Sequence, residues 1–227
     1  MRDRLVMRVS QRAEGNEMAF DALVNWFMGL AGIFNKRKLV RLGLYGAPNA
    51  GKTSLANRIS MDWIGEPVGK VSEVPHETRE VQKKEHVTIR ANGKELEMNL
   101  LDMPGIATKV DYRDFMKYGV TLTAAHKRSK EATKGIIEAI KWLDKVDAAL
   151  VVMDSSEDPY TQINLTVIGN LEARNIPVIL VANKIDLAKS DPDKIREAYP
   201  QYPVVEVSAL KGDNIDELYS EVTKRLR

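Results

Sequence analysis

Cysteine is missing from all 227 residues of the sequence, which excludes disulfide bonds and thiolate metal sites. A large net charge is also missing, because 34 Lys and Arg residues face 32 Asp and Glu residues. Bulk charge therefore predicts neither a nucleic-acid partner nor a membrane partner. Long apolar runs of the kind that span a bilayer or form a signal peptide are absent as well. These absences favour a cytoplasmic globular protein, with peripheral membrane contact as the alternative discussed below.

From residue 38 onward, apolar strand-like runs alternate with helix-like segments, which predicts an α/β fold with a mostly parallel sheet. Two of the strands flank an Ala-Asn-Gly-Lys turn at 91–94 and are expected to pair as a hairpin. The predicted strands cover residues 38–46, 81–90, 95–103, 148–155, 177–186 and 203–210. Helices are predicted over residues 51–63, about 160–175 and 213–227, the last with Asp213 or Asn214 near its cap.

The stretch GAPNAGKTS, residues 46–54, lies between a predicted strand and a predicted helix. It matches a phosphate-binding loop, in which small residues let successive backbone N–H groups point at phosphate oxygens. Lys52 can reach the outer phosphates, and the hydroxyl of Thr53 can bind Mg²⁺. The alternative is a chance match in a glycine-containing turn, which the strand-to-helix setting disfavours. The loop residues predicted to hold the nucleotide are Gly46, Asn49, Ala50, Gly51, Lys52, Thr53 and Ser54.

Three later motifs, each at the end of a predicted strand, indicate which base the loop would serve. They are DMPG at 102–105, NKID at 183–186 and SAL at 208–210. Asp102 can hold Mg²⁺ through water, and the N–H group of Gly105 can meet a γ-phosphate. The carboxylate of Asp186 can accept hydrogens from guanine N1 and N2, a pair that adenine does not offer. The other residues predicted at the base are Asn183, Lys184, Ser208, Ala209 and Leu210.

Taken with Thr78 in PHETRE, these motifs resemble the Era-like branch of the translation-factor-related P-loop GTPases over residues 38–227. The resemblance implies a Ras-like G domain with a six-stranded mostly parallel sheet, GTP and GDP binding with Mg²⁺, and slow GTP hydrolysis. It also implies that Thr78 closes over Mg²⁺ and the γ-phosphate; a plain polar loop residue is the alternative. The resemblance does not extend to the KH domain of Era, so an RNA or ribosome partner is suggested by family analogy alone.

The expected hydrolysis needs a group other than the usual glutamine, because Ile106 follows DMPG where Ras-like enzymes carry a water-positioning Gln. The resemblance offers Asn49, which matches the potassium-assisted members of this branch. There the Asn side-chain carbonyl and switch backbone oxygens hold a K⁺ ion against the phosphates. The alternative is that Asn49 only tolerates an unusual backbone conformation. The catalytic candidates are Asn49, Lys52 and Thr78.

Two segments fall outside the repeating pattern. Residues 106–146 form an extended second switch, in which a loop precedes a helix predicted over 130–146. The segment is either mobile until a partner or nucleotide orders it, or a well-ordered helical insert. Residues 1–37 form an N-terminal extension with a helix predicted over 18–34. The large apolar residues of this helix lie on one face: Phe20, Leu23, Phe27, Leu30 and Phe34. That helix can dock on its own G domain, lie in a membrane interface, or pair with another protein or a second copy.

Two functions of different classes follow. The first is a GTP-hydrolysing switch that resets its binding to an effector protein. The alternative is a regulatory module that distinguishes GTP from GDP with negligible hydrolysis, recruited to a membrane or partner by its N-terminal helix. Asn49 favours the first and Ile106 the second.

Overall fold

The computed structural model describes residues 39–71, 80–106, 111–119 and 121–226. Within these ranges the six strands are β1 Val40–Tyr45, β2 Gln82–Ala91, β3 Lys94–Asp102, β4 Ala148–Asp154, β5 Val178–Asn183 and β6 Val204–Val207. The helices are α1 Lys52–Trp63, α2 Tyr112–Met116, α3 Leu122–Trp142, α4 Gln162–Glu172, α5 Pro192–Ala198 and α6 Ile215–Arg225. The predicted N-terminal extension, residues 1–37, lies outside the described residues.

The strands form one sheet in the order β2-β3-β1-β4-β5-β6. β2 pairs antiparallel to β3, and all other neighbours are parallel, which confirms the predicted six-stranded, mostly parallel sheet. The predicted hairpin is also confirmed, since Asn92 and Gly93 connect β2 to β3 with φ angles of 51° and 70°. Left-handed backbone at both turn residues matches the right-handed twist of the flanking strands.

Both faces of the sheet are apolar, as expected of parallel strands that helices cover on two sides. In β4, Leu150 and Val152 face one core while Val151 and Met153 face the other. Helices α1 and α6 contribute to the first core, and α4 and α5 contribute to the second. The carboxyl ends of the parallel strands meet at one edge of the sheet, which is where such folds bind ligands.

The segment predicted as an extended second switch contains more helix than the sequence indicated. α3 begins at Leu122, eight residues before the predicted start, and a short helix α2 precedes it. The buried face of α3 consists mainly of small residues, Ala125, Ala132 and Ala139. Alanine gives a weaker amphipathic signal than larger apolar residues, which explains the late predicted start. The described part of the segment is therefore mostly helical.

The end of β2 nearest the hairpin is separated from the rest by a bulge. The register between β2 and β3 shifts between Lys84 and Val87, and His86 lies there with φ 55°. The backbone N–H of His86 donates to Asn99 Oδ1 at 3.2 Å, and its ring Nδ1 lies 2.7 Å from Glu97 Oε1. Bulges of this kind bend an edge strand and increase its twist.

No helix of the described ranges is both long enough and apolar enough to cross a membrane. The same ranges hold no cluster of three or more His, Asp or Glu side chains suited to a metal ion.

Two buried tyrosines form a matched pair for a stability test. The hydroxyl of Tyr45 has no hydrogen-bond partner among the described residues, whereas that of Tyr219 donates to Asp62 Oδ2 at 2.7 Å. We expect Tyr45→Phe to leave the free energy of unfolding unchanged or slightly raised, and Tyr219→Phe to lower it by about 1 kcal/mol. Urea denaturation measures both. A larger loss for Tyr45→Phe than for Tyr219→Phe would contradict the prediction.

Candidate functional site

The phosphate loop leaves β1 at Gly46 and enters α1 at Lys52. Gly46 has φ 144°, and a Cβ there would lie 2.2 Å from the carbonyl oxygen of Val152 in the neighbouring strand. Gly51 has φ 97°, and a Cβ there would lie 2.1 Å from Nδ2 of Asn183. Both positions therefore require glycine, for conformation and for space. The loop is held directly against β4 and against the end of β5.

Lys52 is the buried cation of this loop. Its ammonium group donates to the carbonyl oxygens of Gly46 at 3.2 Å and of Ala47 at 2.7 Å. Burial lowers the pKa of Lys52 to about 8, although the negative charge of Asp102 opposes the shift. Two loop carbonyls thus accept two of the three ammonium hydrogens of Lys52, the residue that the sequence predicts to reach the outer phosphates.

Two oxygen ligands suited to a hard cation lie beside Lys52. The hydroxyl of Thr53 donates to Oδ2 of Asp102 at 2.7 Å, and the Asp102 side chain is fully buried. Thr53 stands in the first turn of α1, next to the half-buried Ser54, and Asp102 ends β3. Hydroxyl and carboxylate oxygens are the ligands that Mg²⁺ takes from proteins together with phosphates and water. This donor set fits Mg²⁺.

The DMPG turn lies against the phosphate loop. A Cβ on Gly105 would come within 2.9 Å of the Pro48 Cα atom, so the turn needs glycine for this approach. The N–H group of Ile106 donates to the Gly46 carbonyl at 3.2 Å. The side chain of Ile106 is buried in the core with only 5% exposure, and it carries no polar group.

Asn183 joins three loops through one buried side chain. Its Nδ2 donates to the carbonyl of Ala50 at 2.8 Å, and its Oδ1 accepts from the N–H of Ala209 at 3.0 Å. The phosphate loop, the NKID motif and the SAL motif are thereby fixed to one another. Because the amide is 2% exposed, these bonds replace water contacts that the buried group cannot make.

The NKID and SAL motifs also contact each other at Asp186. Oδ1 of Asp186 accepts from the hydroxyl of Ser208 at 2.7 Å, which orients the carboxylate. Lys184 has φ 69° and pairs with Asp154 Oδ2 at 2.6 Å. Leu210, which the sequence predicts among the residues at the base, is 76% exposed. Its backbone carbonyl accepts from Arg58 at 3.2 Å, which ties SAL to α1.

A family model described as 50S ribosome-binding GTPase matches residues 41–184. The chain belongs to this GTPase family. It is 30% identical to the tRNA modification GTPase MnmE of Natranaerobius thermophilus, over 84% of this chain and 36% of MnmE. It is 29% identical to the GTPase Era of Alkaliphilus oremlandii, over 81% of this chain and 54% of Era. The chain spans about a third to a half of the length of these relatives.

Solved structures of Era are also similar to this GTPase. Era in complex with MgGDPNP and a segment of 16S ribosomal RNA gives a TM-score of 0.62 at 25% identity, covering 82% of this chain and 56% of Era. An Aquifex aeolicus Era variant bound to GDP and AlF4− gives a TM-score of 0.59 at 27% identity, with the same coverage. The resemblance to an Era-like, Ras-like G domain is therefore confirmed.

The GTPase motifs predicted from the sequence meet at one edge of the sheet, apart from one residue. Thr78 lies outside the described residues, so its role stays a prediction. Asn49 is exposed and has φ 60°, the unusual backbone conformation that one of its two interpretations expects. The sequence reasoning missed Asp154 and Ser155, which contact NKID. The signal that could have identified them is that these polar residues follow directly on the apolar run of β4.

The lowered pKa of Lys52 predicts proton uptake on nucleotide binding. Above pH 8 the free protein loses this proton, and a bound phosphate would restore it by favouring the charged form. We expect about three-quarters of a proton taken up per GDP at pH 8.5, and less than about a tenth at pH 7. Calorimetric titrations in buffers of different ionisation enthalpy measure this uptake.

The matched variant for that measurement is Lys52→Arg, because arginine stays protonated throughout this range. Any proton that this variant still takes up at pH 8.5 belongs to another group and is subtracted. Equal uptake by the wild-type protein at the two pH values would contradict the assignment to Lys52.

Proposed function

We propose that the chain is a guanine-nucleotide switch that binds GTP and GDP and hydrolyses GTP with the help of Mg²⁺ and K⁺. The observation that carries the proposal is the side chain of Asn183, which links the phosphate loop at Ala50 to the SAL motif at Ala209. This link fixes the position of the phosphate loop relative to the motif that carries the Asp186 carboxylate. A guanine nucleotide offers phosphates to the loop and a guanine base to the carboxylate.

In the proposed site, Thr53 would bind Mg²⁺, Asp102 would hold the ion through water, and Thr78 would add a further oxygen in the GTP state. The bound ion would neutralise charge on the β- and γ-phosphates. Lys52 would exchange the carbonyls of Gly46 and Ala47 for phosphate oxygens, which are stronger acceptors for an ammonium group. The N–H group of Gly105 supplies a further donor at the γ-phosphate position.

Asn49 is the residue proposed to recruit K⁺. Its side chain is exposed on the phosphate loop, so its carbonyl oxygen can reach an ion that lies against the phosphates. The buried Ile106 cannot orient the attacking water molecule. Catalysis would therefore depend on stabilising the negative charge that develops on the phosphates in the transition state. A monovalent cation at this point would supply the stabilisation that an arginine finger gives other GTPases.

We expect GTP turnover in KCl to exceed turnover in NaCl by about tenfold or more at equal ionic strength, because one well-placed charge is worth at least that factor. The measurement is phosphate release under multiple-turnover conditions with saturating GTP and Mg²⁺. Identical rates in the two salts would overturn the role of K⁺.

Two substitutions separate the two interpretations of Asn49. Asn49→Gly keeps the left-handed backbone, since glycine adopts positive φ without strain, but it removes the carbonyl ligand. Asn49→Ala removes the ligand and disfavours the backbone conformation. If Asn49 binds K⁺, both variants lose the potassium effect. If it serves the backbone, Asn49→Gly retains the effect and Asn49→Ala is impaired.

The second candidate is a regulatory module with negligible intrinsic hydrolysis, which the buried position of Ile106 favours. Such a module would bind GTP and GDP and report which is present to an effector. Single-turnover hydrolysis with and without captured partner distinguishes it from the first candidate. Affinity capture from native lysate with GTP-locked and GDP-bound protein supplies the partner. Ribosomal RNA, the ligand in the solved Era complex, is one outcome of that capture.

We propose that residues 18–34 recruit the protein to a membrane or a partner, and the experiment below tests membrane contact. Over residues 1–41 there are eight Lys and Arg residues and four Asp and Glu residues, so the net charge is 8 − 4 = +4. All eight of these Lys and Arg residues lie outside 18–34, so an apolar helix face would enter the membrane interface while the flanking basic residues lie near anionic lipid headgroups. We expect the full chain to float with anionic liposomes and a variant lacking residues 1–37 to remain in solution. Equal flotation of the two proteins would overturn membrane recruitment by this segment.

A further inference from the structure

Asp154, which ends β4, and the two residues that follow it, Ser155 and Ser156, include the contacts to the NKID motif. We call these three residues the Asp-Ser-Ser segment. Both the N–H and the hydroxyl of Ser155 donate to the carbonyl of Asn183, at 2.9 and 2.6 Å. Oδ2 of Asp154 accepts from the ammonium group of Lys184 at 2.6 Å. The segment therefore contacts two consecutive residues of the motif, Asn183 at its backbone carbonyl and Lys184 at its side chain.

The carboxylate of Asp154 is fixed in orientation. Its other oxygen, Oδ1, accepts from the N–H of Ser156 at 3.0 Å and from the Ser156 hydroxyl at 2.6 Å. Burial acts to raise the pKa of Asp154, but the hydrogen bonds from Lys184 and Ser156 outweigh it and hold the pKa below its ordinary value. Asp154 is thus ionised at neutral pH, and neither oxygen can turn without losing a bond.

Lys184 is the residue that this arrangement constrains. Its backbone has φ 69°, and its side chain is 31% exposed while that of Asp154 is 17% exposed. A lysine side chain with a free end samples many rotamers and loses that freedom when a ligand packs against it. With the ammonium group held by Asp154, the apolar stem of Lys184 is already ordered between its backbone in the NKID motif and Asp154. An ordered stem offers a planar base an apolar surface.

We propose that Asp154 is a positioning residue for guanine recognition, acting through Lys184, and that it raises affinity for guanine nucleotides without contacting them. The proposal rests on the proposed function, because it assigns a role within the same site. It concerns the base end of the site and predicts no effect on the phosphate end, where Lys52 and Thr53 lie.

The test compares GDP with inorganic pyrophosphate as probes. Asp154→Asn keeps the side-chain shape but removes the charge that holds Lys184. We expect it to raise the Kd for GDP by about tenfold and to change the Kd for pyrophosphate by less than about twofold. Asp158→Asn is the matched control, because Asp158 is exposed on the same loop and, among the described residues, accepts a hydrogen bond only from the N–H of Tyr160 at 2.8 Å. We expect it to bind both probes as the wild-type protein does.

A double-mutant cycle with Lys184→Met shows whether Asp154 acts through Lys184. If it does, the double variant binds GDP no more weakly than Lys184→Met alone. Ser156→Ala removes the hydroxyl bond to the carboxylate but keeps the backbone N–H bond and the charge, and we expect about a threefold rise in the Kd for GDP. Urea denaturation of each variant identifies any loss of GDP affinity that comes from unfolding. If Asp154→Asn is unfolded, the milder variant Ser156→Ala is used to test the proposal.

Three outcomes would overturn the proposal. These are wild-type GDP affinity in Asp154→Asn, equal losses for GDP and pyrophosphate, and additive effects of Asp154→Asn and Lys184→Met. In each of them the wild-type protein still binds GDP, so the proposed function stands. A wild-type protein that does not bind GDP overturns the proposed function together with this role of Asp154.

Discussion

One buried amide, that of Asn183, holds together the three loops from which the nucleotide site is built. Its two hydrogen bonds reach the carbonyl of Ala50 in the phosphate loop and the N–H of Ala209 in SAL. Gly51 must lack a side chain because a Cβ would strike this same amide. Ser155 in turn fixes the backbone carbonyl of Asn183. A change at any of these points would disturb the relative placement of phosphate and base recognition together.

The central strands of the sheet were readable from the sequence because they are strongly apolar and buried on both sides. β4 and β5 stand out for this reason, and the Asn-Gly turn marks the antiparallel hairpin. Helices with weak signals were harder to predict. α5 was missed because it spans only seven residues, Pro192–Ala198, with one buried residue, Ile195. α3 was predicted too short because its buried face is made of alanines.

The motifs predicted which residues meet, whereas the sequence could not predict how they are held. Side-chain spacing identifies Lys52, Asp102 and Asp186 as a group, since each stands at a strand end or a helix start. The contact of Leu210 runs through its backbone carbonyl, which leaves no residue-type pattern. The shift in the pKa of Lys52 depends on burial, a property of the assembled fold. Geometry of this kind becomes visible only in three dimensions.

The bulge in β2 limits how the sheet can grow. β2 stands at one end of the strand order, and an edge strand with a regular row of free N–H and C=O groups invites another chain to add a strand. At His86 that row is broken, because the backbone turns to φ 55° and its N–H is directed back to Asn99 within the sheet. A flat, continuous template for β-augmentation is therefore missing along this edge. A protein that docks here must recognise side chains, such as the His86 and Glu97 pair, rather than the main chain.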